Sequence, residues 1–225
     1  MGGQACVLYG GAEFSRDTDL AILAEPENLE RLQAAMNELM AEVIAIPAFD
    51  AAYLHAGHAI HFRSHHPEAD KMRIDVMSRM RGVDSFEDLW KRRTTFDLPD
   101  GIPCDVLSLP DLVLAKKTQR DKDWPMIRRL VEANYFANRD EPSDEQLNFW
   151  LRESRTASIL ISLAASQPDL ANTEAINRPL LKHALTSDDA ALESALKEEE
   201  NLERAKDCKH WLPLKRDLEQ MRRNR

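Results

Sequence analysis

No stretch of this 225-residue chain approaches the roughly 18 consecutive apolar residues that a membrane span needs. The opening segment, MGGQACVLYGG, lacks a basic region followed by a long apolar one, so no secretory signal is read there. Cysteine is scarce: Cys6, Cys104 and Cys208 lie far apart with no CxxC pair, which fits free thiols in a reducing compartment. A cytoplasmic protein is expected. Excess positive charge is also missing. The net charge of -9 argues against a protein that coats long nucleic acid through a broad basic face, while leaving local phosphate binding open. There is no internal repeat and no low-complexity linker. The length suits one large domain or two small ones, and a mean hydropathy of -0.49 with 31% charged residues is the balance of a soluble globular chain.

What is present divides by pattern. Residues 4–10 read as a short apolar helix stopped at Gly10-Gly11. A strand is expected at 19–23, then a helix from Pro26, where Leu29, Leu32, Ala35, Met36, Leu39 and Met40 recur at helical spacing. Three strands follow at 43–46, 58–62 and 72–77, the last two joined as a hairpin through SHHPEAD. A helix at 85–93, a strand at 104–107 and a helix from Ser108 complete an N-terminal α/β unit. From Pro125 onward only helical patterns occur. The expected fold is α+β: a mixed β-sheet with helices over 1–124, then an all-helical domain over 125–225.

Chemistry concentrates in two places. Asp17 and Asp19, at i and i+2 of a strand, project from one face and share one hard cation when a third carboxylate arrives from a neighbouring strand. Asp75, flanked by Ile74 and Val76, is the candidate for that third ligand, because a carboxylate within an apolar strand is costly unless its face opens onto a site or a partner. The other reading pairs Asp75 with Arg73 or Arg79. The second place is the run from Lys116 to Arg129, with six basic residues against two acidic ones. Lys116 and Arg120 share a helix face, with Lys117 beside them. The run is either a cationic site or a solvated helix surface. His55, His58, His61, His65 and His66 show no zinc-ligand spacing and read as surface or satisfied side chains.

The segment GGQACVLYGGAEFSRDTDL resembles the polymerase β-like nucleotidyltransferases, whose signature is a Gly-Gly or Gly-Ser pair followed after about a dozen residues by Asp-x-Asp. It is similar in particular to bacterial enzymes of the abortive-infection toxin type, with a pattern like GGxAxxxxGxxRxTxDxD. Gly2, Gly3, Ala5, Gly10, Asp17 and Asp19 fit that pattern; Glu13 stands where arginine is common and Ser15 where threonine is common. The segment DLVLAKKTQRDKDW carries a further, shorter likeness, and the two together cover about residues 2 to 130. The resemblance implies a nucleotidyltransferase-type sheet and transfer of a nucleoside monophosphate from an NTP, ATP included, to an acceptor. Two Mg²⁺ ions would be held by Asp17, Asp19 and Asp75. It implies nucleotide contacts at Gly2, Gly3, Ser15, Lys116, Lys117 and Arg120. The acceptor (a small molecule, tRNA or protein) is left open. Relatives carry a strand before the Gly-Gly pair, so a missing first strand is expected here. That departure and Glu13 favour the competing expectation, a non-catalytic relative that binds nucleotide or a cognate antitoxin.

Overall fold

A computed structural model describes residues 1–224. The chain is α+β, 56% helical with a small mixed sheet. It folds as two compact units: Met1–Leu8, Ala12–Ala115 and Cys208–Arg225 form the first, Tyr9–Gly11 and Lys116–Asp207 the second. The change of unit thus falls at 115/116, where a boundary near 124 is expected from sequence, and the last residues return to the first unit.

In the first unit, α1 (Gly2–Leu8) leads to β1 (Asp17–Ala21), α2 (Pro26–Glu38), β2 (Glu42–Val43), α3 (Ala51–Ala56), β3 (Ile60–Arg63), β4 (Arg73–Met77), α4 (Phe86–Lys91), β5 (Thr94–Asp97), β6 (Pro103–Val106) and α5 (Leu109–Lys116). Both α1 and β1 begin two residues earlier than the apolar pattern suggests, which brings Asp17 and Asp19 wholly into the strand. Helix α2 starts at Pro26, whose missing amide costs nothing in a first turn. Two elements escape a reading by periodicity. Helix α3 is capped by Asp50 accepting from the Ala52 amide and closed by Gly57 in the left-handed region. Strand β5 pairs antiparallel with β6 in a separate hairpin.

The main sheet runs β1-β4-β3-β2, with β1 parallel to β4 and the other neighbours antiparallel. Alternation along β3 and β4 sorts the residues by face. Ile60, Phe62, Ile74 and Val76 are buried against Leu32 and Met36 of α2 and Leu54 of α3. Each such side chain removed from water contributes roughly 1.5–3 kcal/mol, so this face fixes the register of the strands. The opposite face, left to the odd-numbered residues, carries the charges.

The second unit is all helix: α6 (Asp123–Asn138), α7 (Asp144–Glu153), α8 (Ala157–Ser166), α9 (Pro168–Glu174), α10 (Leu181–Leu185) and the start of α11 (Asp189–Arg223). Helix α7 opens with a capping box between Ser143 and Gln146. Glu199 holds two buried guanidiniums, Arg155 at 2.5 Å and Arg178 at 2.9 Å. The residues of α11 from Cys208 onward belong to the first unit, where Asp217 meets the buried His58 at 2.7 Å.

Among the described residues no helix is long and apolar enough to cross a membrane.

Glu199 gives the fold a pH signature. Burial acts to raise its carboxyl, but hydrogen bonding to Arg178 and the charges of Arg178, Arg155 and Lys117 outweigh it, so the net shift is downward. A depressed carboxyl stabilises above its unfolded value of 4.5, and that stability is lost as pH falls through the folded value. Glu199→Gln should cost roughly 3 kcal/mol at neutral pH, since it strands two buried cations, and should flatten the acid limb of the stability curve. Denaturant unfolding at pH 7 and below pH 4.5 tests this; an unchanged acid limb would sink it.

Candidate functional site

Parallel pairing of β1 with β4 sets Asp17 opposite Arg73 and Asp19 opposite Asp75. Antiparallel pairing of β3 with β4 then sets His61 opposite Asp75 and Arg63 opposite Arg73. Because all these positions share one parity, the face carries two charged rows. One is Asp19, Asp75 and His61; the other is Asp17, Arg73 and Arg63. Three carboxylates therefore stand on adjacent strands of one face.

A side chain already answers them. Arg73 donates through Nε to Asp75 Oδ1 at 2.8 Å, and His61 Nδ1 lies 2.8 Å from the same oxygen. The pairing of Asp75 with Arg73, one of the two readings open from sequence, is the one found; in this arrangement Asp75 is held by its own strand. For Asp75, burial pushes the carboxyl up, yet the bonds from His61 and Arg73 outweigh it and the net shift is downward. For Arg73 the bond to Asp75 dominates, and the fields of Asp75, Asp17 and Asp19 all act to hold its proton. The guanidinium is thus the positive charge set against three carboxylates.

These contacts compete. His61 Nδ1 also lies 3.1 Å from an Arg73 terminal nitrogen. A neutral imidazole nitrogen either donates to the carboxylate or accepts from the guanidinium, and one tautomer serves only one of them. Asp75 is only 16% exposed, whereas Arg73 is 42% exposed and has solvent into which to turn.

The Gly-Gly pair closes over the same strand. The Gly3 amide donates to Asp19 Oδ2 at 3.3 Å. Gly2 adopts a φ of +69°, and a Cβ there would lie 1.8 Å from Asp19 Oδ2. A Cβ on Gly3 would lie 2.2 Å from Ser15 Oγ, whose hydroxyl donates to the Asp17 carbonyl at 2.9 Å. Both glycines are required by close approach: the pair seats the Asp19 carboxylate and the loop before it.

The basic residues 116–120 are arranged differently from an open cationic face. They belong to the second unit. There Asp123, fully buried, takes Lys116 Nζ at 3.4 Å, Thr118 Oγ1 at 2.5 Å and Arg120 Nε at 2.8 Å. Lys117 pairs with Glu153 at 2.6 Å. Each of these three cations thus has an acidic partner within the fold, with Lys116 and Arg120 sharing the one carboxylate of Asp123.

Three carboxylates on neighbouring strands are a donor set that suits a hard divalent cation. Among the described residues, however, no three His, Cys, Asp or Glu side chains converge as a ligand group. The donor chemistry fits Mg²⁺; in the side-chain positions found, Arg73 stands at Asp75. Arg73 and His61 are the two members that sequence reading passed over as site residues. Their parity with Asp75 along β4 and across the β3–β4 hairpin is the signal that places them.

No protein-family model matches the chain, and no curated protein matches it. The likeness to nucleotidyltransferases thus rests on its own residues.

The close approach at Gly3 predicts that Gly3→Ala loses at least about 1 kcal/mol, because Ser15 must give way. Part of the loss should return in Gly3→Ala/Ser15→Gly, read as a coupling in a double-mutant cycle by denaturant unfolding. Strict additivity would show that the two residues do not touch.

Proposed function

We propose that the chain is a nucleotidyltransferase of the polymerase β type, moving a nucleoside monophosphate from an NTP to an acceptor hydroxyl or similar group. The observation that carries this reading is Asp17, Asp19 and Asp75 on one face of adjacent parallel strands, with Gly2 and Gly3 packed onto Asp19. A lone Asp-x-Asp is common in turns and caps; a third carboxylate in register with it is not explained by capping.

In this reading Asp17, Asp19 and Asp75 would hold Mg²⁺, whose chemistry is to make an acceptor oxygen more acidic and to offset charge on phosphate oxygens. The protein's own groups do the rest. Asp75, which the bonds from His61 and Arg73 now hold as a weak base, would help take the acceptor proton once Arg73 has left it. Arg73 turns outward as its partner is taken, and its charge goes to phosphate oxygens. The Gly2-Gly3 backbone and Ser15 border the carboxylates and would meet the triphosphate there. Lys116, Lys117 and Arg120 would join it only by leaving Asp123 and Glu153, so they carry less of the proposal than their sequence suggests.

A second reading is favoured by one observation, the hold of Arg73 and His61 on Asp75. A chain in which that hold is permanent binds nucleotide or a partner, such as a cognate antitoxin, without turnover.

The deciding experiment follows label from the α-phosphate of each NTP, with Mg²⁺, into total tRNA, a panel of small antibiotics and cellular protein. Label on one acceptor class that falls by about 100-fold or more in Asp19→Asn and Asp75→Asn is the expected result. Magnesium-dependent stabilisation by NTP with no label on any acceptor would overturn transfer and leave the binding reading.

A further inference from the structure

Helix α4 and the β5–β6 hairpin wall a cavity of about 90 Å³ in the first unit. Its lining includes Leu20 and Ala21, which follow Asp19 directly in β1, with Phe86 and Trp90 from α4, Arg93 beyond it and Asp105 from β6. The Phe86 and Trp90 rings are one turn apart and stacked, with centroids 5.8 Å apart and planes at 17°. The Arg93 guanidinium lies 4.0 Å over the Trp90 ring. Its position is set on two sides, by an ion pair to Asp105 at 3.1 Å and by a bond to the Trp90 carbonyl at 2.8 Å. Asp105 is steadied in turn by the Thr95 hydroxyl at 2.5 Å.

Trp90 stays 46% exposed although Phe86 and Arg93 rest against its ring. An indole left open at the mouth of a cavity, stacked and held by polar neighbours, is built to meet something flat. The rim is of mixed sign: Arg93 donates and Asp105 accepts. An anion would meet Asp105 and a cation would meet Arg93, whereas a neutral heterocycle with both ring acceptors and an amine suits the two together.

We propose that this cavity takes the nucleobase of the nucleotide, a planar ring bearing an exocyclic amine. The proposal rests on the nucleotide reading above. A volume of about 90 Å³ is far below the roughly 300–1,000 Å³ of pockets that enclose a drug-sized ligand, so it admits a ring and leaves sugar and phosphates outside. Outside lies the carboxylate face: Ala21 and Asp19 share a face of β1, two residues or about 6.6 Å apart. The ring stacks on the Phe86–Trp90 wall, its amine donates to Asp105, and Arg93 donates to a ring nitrogen or carbonyl. Uracil, lacking the amine, is the base the cavity disfavours.

The test is calorimetric titration of the full chain with ATP, GTP, CTP, UTP and inorganic tripolyphosphate, each with Mg²⁺, repeated on Trp90→Leu and Asp105→Ala after thermal unfolding shows both folded. The amine-bearing nucleotides should bind about tenfold or more tighter than tripolyphosphate, the effect of one stacked base. Trp90→Leu should bring them to the tripolyphosphate level, and Asp105→Ala, which removes the acceptor, should erase the margin over UTP. If nucleotides outbind tripolyphosphate equally in the wild type and both variants, the base sits elsewhere and only the cavity proposal falls. If the wild type binds neither nucleotide nor tripolyphosphate, the nucleotide reading itself fails and takes the cavity proposal with it.

Discussion

Asp75 must stay charged in the middle of a sheet, and the charged face is organised around that requirement. Its strand is anchored by Ile74 and Val76 in the core, so its own position is not negotiable. Pairing with β1 puts Asp19 directly opposite, and like charges facing across a ladder are destabilising. A cation has to stand among them. In this structure Arg73 supplies it from two residues away on the same strand, at 2.8 Å, with His61 at the same oxygen.

The solution is a substitutable one. Arg73 is the more exposed partner, and its rival contact with His61 Nδ1 means that one of the three pairings is always unmet. In the function proposed, a divalent cation would take the place of the guanidinium, and the core behind β4 would stay as it is. The glycines act on the other member of the row. Gly2 and Gly3 admit the Asp19 carboxylate and Ser15 to distances no side chain would allow, so Asp19 is seated by backbone while Asp75 is seated by side chains.

Much of this face was legible from sequence because it follows from parity. Asp17 and Asp19 at i and i+2, and Asp75 between two apolar residues, define a common face once both segments are strands. The core was legible for the same reason: α2 shows helical spacing over Leu32 and Met36. What escaped is what depends on distant partners or on caps. Helix α3 is made by Asp50 and Gly57 at its ends more than by any apolar stripe. Strand β2 extends over only Glu42–Val43, short of the apolar run at 43–46. The partners of the basic run were not legible either. Lys117 finds Glu153, 36 positions on, and Asp123, read as one of two minority acids in the run, proves to be the buried hub on which Lys116 and Arg120 close. Charge counted along a chain does not show where each charge finds its partner.

In the function proposed, the carboxylates of Asp17, Asp19 and Asp75 receive a divalent cation in exchange for Arg73. Anomalous diffraction from crystals grown with Mn²⁺ and a non-hydrolysable NTP tests it directly. The account predicts a manganese peak bonded to carboxylates of β1 and β4, with the Arg73 guanidinium turned away from Asp75. A peak elsewhere, or none, with Arg73 still 2.8 Å from Asp75, would contradict it.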